Sequence, residues 1–294
     1  MDTLIQSAVS GALVGAIYGL AALGLSLAFG VLKVLNVAHG ELIMLGGYAA
    51  FYLFTLLGLD PFVSLAIVFA MLAVMGLILH ALVFRHIVKL DEENRIKNSL
   101  LLGFGLTLIL QTAAVRLFTA DDRGILTSYS SSAWQIDDIR FPFVRVAGLV
   151  VAIAAVFLLE WFLKQTYWGK ALRATSEDWT TAALTGIDIR RVYLLAFGIS
   201  AGLAGITGVL IGLGFSVNPS IGLQWTLKAL IVVVLAGLGS MRGTLLGGIL
   251  LGLAEAFTSI LIPGGGAYRE IVGLIIFLIV LSLRPQGLFG GQHA

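Results

Sequence analysis

The sequence predicts an all-α integral membrane protein, a polytopic bundle of about eight to nine transmembrane helices. Three observations carry that expectation. Mean hydropathy is +1.02, with 59% hydrophobic and 12% charged side chains in 294 residues, more apolar than a soluble domain can bury. Apolar runs fall near 5–30, 34–57, 62–84, 99–118, 144–163, 192–215, 223–239, 244–262 and 270–283, most of them long enough to cross the hydrocarbon core as helices. A closed strand barrel would show short alternating segments instead.

Taken in order, the first run begins at Met1-Asp2-Thr3 without a positive flank, so it reads as a retained span rather than a cleaved leader. Gly11, Gly15 and Gly19 form one stripe on it, a spacing that lets helix backbones approach closely in lipid. The second run opens with Asn36, His39, Gly40 and Glu41 ahead of Gly46 and Gly47. Such a start fits a helix that begins late and lines a wet cavity, or polar residues that face the membrane surface. His39 and Glu41 lack partners at metal-ligand spacing, so no metal site is expected. On the fourth run Thr107 and Gln111 share a face, as pathway lining or as helix-to-helix hydrogen bonds. A polar segment, 119–143, separates it from the fifth.

Residues 164–191 form the longest polar stretch next to a charge-rich face. Ala171, Ala174, Trp179, Ala182, Ala183 and Leu184 recur at helical spacing among Arg173, Glu177 and Asp178, and Gly186 is a helix stop. The stretch is an ordinary solvated loop or an amphipathic helix that fits a partner's groove. The sixth run carries Gly198/Gly202 and Gly208/Gly212, and Gly243/Gly247 and Gly248/Gly252 stand at the start of the eighth and within it. Residues 198–202 also match G-x-S-x-G, but inside an apolar helix, and His39, His80, His86 and His293 sit near span ends or the tail, so an enzyme is not expected. Lys228 and Glu255 lie about equally far, on the order of 16 Å, from the turn joining the seventh and eighth runs. They either pair, which reduces the cost of a lone charge in the bilayer, or separate, with Lys228 reaching outward.

Alternating spans collect twelve Lys and Arg on one face, among them Lys33, Arg85, Arg95, Lys164, Arg173 and Arg242, and five on the other: Arg116, Arg123, Arg140, Arg145 and Arg269. The positive-inside bias then puts 164–191 and the C-terminus in the cytoplasm and the N-terminus outside.

The runs GLAALGLSLAFGVLKVLNVAHGELIMLGGY (19–48), SLLLGFGLTLILQ (99–111), GKALRATSEDWTTAALTGIDIRRVYLLAFGISAGLAGITGVL (169–210) and LKALIVVVLAGLGSMRGTLLGGILLGLAEA (227–256) resemble, in content and order, the LivH-type membrane subunits of branched-chain amino-acid ABC importers. The resemblance implies a bacterial or archaeal plasma-membrane permease, residues 1–294 as one transmembrane domain. Its implied partners are a LivM-type permease, two cytoplasmic ATP-binding subunits and an external solute-binding protein, with ATP and Mg on the ATPases and no cofactor or nucleic acid on this chain. It makes 164–191 the ATPase-coupling loop, with Thr175, Glu177, Asp178, Trp179, Ala182, Ala183 and Gly186 as contact candidates. Importer permeases often carry Glu-Ala-Ala, three residues and Gly there. Aligned on Gly186 this chain has Thr180-Thr181-Ala182, so the acidic position is unmatched and Glu177 or Asp178 takes its electrostatic part. Asn36, His39, Gly40, Glu41, Thr107 and Gln111 are the translocation-path candidates. The segment 119–143, with Asp121, Asp122, Ser128, Tyr129 and Trp134, is the expected surface for the binding protein. The rival expectation is a self-powered transporter or channel for a small polar solute such as urea or amides, with Lys228, Glu255 and Glu41 relaying protons. The chain has no G-x-x-x-x-G-K-[ST] loop with which to use ATP itself.

Overall fold

The computed structural model describes residues 2–136, 138–262 and 265–289, so His293 lies outside it. Eleven α-helices are described: α1 (Asp2–Leu32), α2 (His39–Leu57), α3 (Pro61–Leu82), α4 (Glu92–Phe118), α5 (Phe143–Gln165), α6 (Tyr167–Glu177), α7 (Trp179–Leu184), α8 (Ile189–Gly214), α9 (Ile221–Ala236), α10 (Met241–Leu261) and α11 (Arg269–Leu283). A small antiparallel hairpin, β1 (Ala133–Ile136) and β2 (Ile139–Pro142), precedes α5. Eight helices are long and apolar enough to cross a membrane, and α9 is a shorter apolar ninth. With α6 and α7 outside that set, these eight candidate spans and the shorter α9 match the nine apolar runs of the sequence.

Helix starts follow capping chemistry. Asp60, Asp91, Thr166, Asp178, Asp188 and Ser240 each accept a first-turn N–H of the helix they precede. Pro61 stands at the first position of α3, where its missing N–H costs nothing.

The core is organised on α1, which is buried almost throughout from Gly11 onward. Its Gly11, Gly15 and Gly19 stripe lies on α10, where Cβ atoms added at Gly15 or Gly248 would fall on the partner's backbone. α8 crosses α3 in the same manner, with Gly76 against Ala201 and Gly202 against Phe69. The G-x-S-x-G run is part of this helix packing, and Ser200 is buried within α8. A third close approach joins Gly46 and Gly47 of α2 to Gly205 and Gly208 of α8.

The second span does not begin as a helix at 34. The chain leaves α1 through Lys33 in the left-handed region (φ 53°) and runs irregularly, buried, to His39. His39 Nε2 then donates to Ala21 O at 3.0 Å. Ala21 precedes the end of α1 by eleven residues, so α2 starts about 16 Å inside the bundle. The chain leads into α9 similarly from the opposite face. Asn36 Oδ1 accepts Ala38 N at 3.1 Å, and Asn218 Oδ1 accepts Ser220 N at 2.9 Å. His39 N donates to Asn36 O, and Ile221 N to Asn218 O. Each asparagine is followed four residues later by a glycine, Gly40 and Gly222, and these two meet where α2 and α9 touch.

The helices around these two starts repeat in inverted order. α1, α2 and α3 correspond to α8, α9 and α10, and the α1/α10 crossing mirrors α8/α3. The ends fix the directions. Gln6 near the start of α1 bonds Arg140 of β2, and Gly212 near the end of α8 accepts Ile125 N from the same side. Arg95 Nη1 bonds Leu32 O at the far end of α1 and lies over the ring of Tyr193 near the start of α8.

Candidate functional site

Three places carry the predicted residues. The first is the face bearing α6 and α7. The predicted single helix is two, broken at Asp178, which adopts extended backbone (φ −151°, ψ 103°) so that its carboxylate accepts Thr180 N at 2.8 Å and Thr181 N at 3.2 Å. The Thr181 hydroxyl also donates to it, and these bonds hold the Asp178 carboxyl below the usual aspartate range. α7 stops as predicted: Gly186 takes φ 88°, and Ile187 N donates to Ala182 O at 3.2 Å.

Of the seven residues assigned to coupling, Thr175 and Ala182 turn into the protein, at 3% and 4% exposure, and offer no outer surface. Asp178 is engaged as the cap of α7. Glu177, Trp179, Ala183 and Gly186 are exposed, together with Leu184, which is outside the seven and 84% exposed. A cavity of about 270 Å³ opens beside them, lined in part by Lys33, Asp91, Arg95, Glu177 and Trp179. Arg95, which the sequence presents as one more surface cation, is buried and bonds Leu32 O and Leu90 O, completing the C-terminal end of α1.

The second place is the meeting of α2 and α9. Thr226 Oγ1 accepts Gly40 N and donates to Val37 O, both at 2.9 Å, joining the two helix starts. Asn36, His39 and Glu41 are each 2% exposed or less, so they face neither membrane surface. His39 turns toward α1 and Glu41 toward Gly222 of α9. On α4, Gly103 contacts Val37; one turn on, Thr107 is buried with its hydroxyl unpartnered, while Gln111 is half-buried.

Lys228 and Glu255 form the third. Lys228 Nζ reaches Glu255 Oε1 at 2.6 Å, and Tyr18 OH donates to Oε2 at 2.9 Å. The ammonium lies 4.7 Å from the centre of the Tyr18 ring, which Trp225 meets edge-on. α1, α9 and α10 are thus joined through one carboxylate. Tyr18 carried no sequence signal: it is one aromatic on an apolar helix, and only the crossing of α1 over α10 brings it to Glu255.

The polar segment 119–143 is less free than its composition suggests. Arg123 pairs with Val217 backbone to backbone, Asn218 bonds Asp122, and Tyr129 OH donates to Asp60 Oδ2 at 2.8 Å. Burial, reinforced by that bond, pushes the Tyr129 phenol up to about 12. Asp121, Ser128, Leu126 and Trp134 remain exposed.

The sequence is similar to those of known proteins. The chain is 33% identical to BraD, a high-affinity branched-chain amino acid transport system permease protein of Pseudomonas aeruginosa, over 97% of this chain and 95% of that one. It is 30% identical to LivH, a permease protein of the same description in Salmonella typhimurium, with the same coverages. LivM of Escherichia coli matches 51% of this chain and 34% of its own length at 29% identity. The model of the branched-chain amino acid transport system permease component matches residues 7–281, nearly the whole bundle, and the chain belongs to that family.

Proposed function

We propose that this chain is the membrane permease subunit of an ATP-binding-cassette importer that moves branched-chain or closely related amino acids inward, driven by separate ATPase subunits. The observation that carries the coupling role is α7. It is a short, capped helix between two spans whose Trp179, Ala183 and Leu184 stand exposed beside a charged cavity. A helix so held suits a groove on a soluble motor. Glu177 supplies the free acidic contact, since Asp178 is occupied by its own helix. Closure of the motor dimer on ATP and Mg, both held by the partners, would shift the attached spans between two packings.

The positive-rich face bearing α6 and α7 is cytoplasmic in this account, which leaves the N-terminus and the hairpin outside. The exposed surface around Leu126, Ser128 and Trp134 then receives the solute-binding protein, and a LivM-type permease completes the membrane core. Amino acids are the substrate class because the similar permeases BraD and LivH carry that description. Reconstitution into liposomes is the test. Labelled leucine should enter only when the second permease, the ATPases, ATP and the binding protein are all present. Uptake by this chain alone under an ion gradient would support a self-powered transporter instead.

A further inference from the structure

We propose that the meeting point of α2 and α9 is a midplane station for the translocated amino acid, with the Glu41 carboxylate receiving its ammonium group. The inference rests on the importer reading above and adds to it a place and a residue.

In secondary transporters, discontinuous helices that start inside a bundle at the interface of two inverted repeats hold the cargo, and irregular backbone at membrane depth is tolerated elsewhere too where it is buried in protein or lines a cavity. α2 and α9 are such a pair, joined at Gly40, Gly222 and Thr226. Neither is capped by the side chain of the residue before it, as is also true of α5 and α11, and the first-turn Gly40 N–H of α2 is taken by the Thr226 hydroxyl. The positive end of the helix dipole favours negative charge, and Glu41 is the acidic residue in the first turn of α2.

The segments leading into α2 and α9 match at Asn36/Asn218 and Gly40/Gly222 and then differ at the next residue, Glu41 in one and Leu223 in the other. Glu41 is 1% exposed, and its Oε2 has no partner. Among the described residues no cation pairs with it. It lies against Gly222, where an added Cβ would collide with its carboxylate. Lys228, six residues along α9, is committed to Glu255. Glu255 thus has its ammonium and Glu41 has none, so an ionised Glu41 needs a cation that the described residues do not supply. A charge at bilayer depth is held only when paired, and the ammonium of an amino acid supplies the partner that Glu41 lacks. In this structure the two glycines touch, so the station is closed and loads when α2 and α9 part.

The test uses the complete importer in liposomes. With binding protein saturating, Glu41→Gln should lower leucine uptake by about tenfold or more, and Glu41→Asp should recover part of it. Uptake by Glu41→Gln within about twofold of the unmodified importer would overturn the proposal. Binding to the unmodified complex without binding protein does not depend on any variant folding. There, 3-methylbutylamine, which keeps the ammonium, should compete with labelled leucine more strongly than 4-methylpentanoate, which lacks it. The reverse order would overturn the assignment. So would stoichiometric binding of labelled sodium that disappears in Glu41→Gln, because the missing cation would then be a metal ion. If the unmodified importer takes up no leucine, the importer reading fails; if it does and these outcomes are reversed, only the station fails.

Discussion

Single residues set the local stakes. Glu255 joins Lys228 and Tyr18 at 8% side-chain exposure, so removing its charge strands a buried ammonium. Glu255→Gln should destabilise the purified protein by about 3 kcal/mol, and Lys228→Met combined with Glu255→Met by distinctly less, since the double change leaves no uncompensated charge. Thermal unfolding in detergent reads both, and a double variant less stable than the single one would contradict the pairing. Asp178 behaves differently because it lies in water. Its carboxyl is held below the ordinary aspartate value of 3.8, so its cap on α7 is complete at neutral pH. It is lost only as pH falls below that value toward the lower folded one. Hydrogen exchange at Thr180 and Thr181, corrected for intrinsic rates, should therefore show full protection near pH 7 that weakens only in acid. Asp178→Asn should weaken that protection already at pH 7.

At the level of elements, helix contact in lipid rests on close backbone approach. Gly248 meets the backbone of α1 at Gly15 and Gly19, while nothing stands near a Cβ added at Gly105 of α4. Gly248→Ala should sharply lower the yield of folded protein, and Gly105→Ala should be neutral or slightly stabilising through helix propensity. Equal tolerance at both sites would contradict the α1/α10 crossing. The same elements show what sequence can carry. The eight candidate spans and the shorter α9 are legible because lipid forbids unpaired backbone, which forces apolar runs. The glycine stripes are readable as close contacts, though not which helices they join. Hydropathy misplaces the start of α2 at 34 because Val34, Leu35, Val37 and Ala38 are as apolar as a helix. The polar group after them gives the only warning of a late start. The matching Asn-x-x-x-Gly runs at 36 and 218 stand in the sequence, yet they gain meaning only once both are seen to break a span. Asp178 hides a helix break for another reason: an acid fits an amphipathic helix surface and a cap equally well.

For the molecule as a whole, the inverted halves meet at α2 and α9, and α7, proposed as the segment through which they are moved, lies at one face. Most of what that face does is legible as charge and amphipathic pattern. The inward turn of Thr175 and Ala182 is not, because it depends on how α6 lies against α5 and α8. The central claim is that a foreign ATPase grips α7 from the cytoplasm. The chain contains no cysteine, so a single Leu184→Cys is a unique handle. In the assembled importer this variant should cross-link to an ATPase subunit, and in intact cells it should resist a membrane-impermeant maleimide. Labelling from outside, or an assembled and active importer in which the Leu184→Cys thiol never cross-links to the ATPase, would contradict the account.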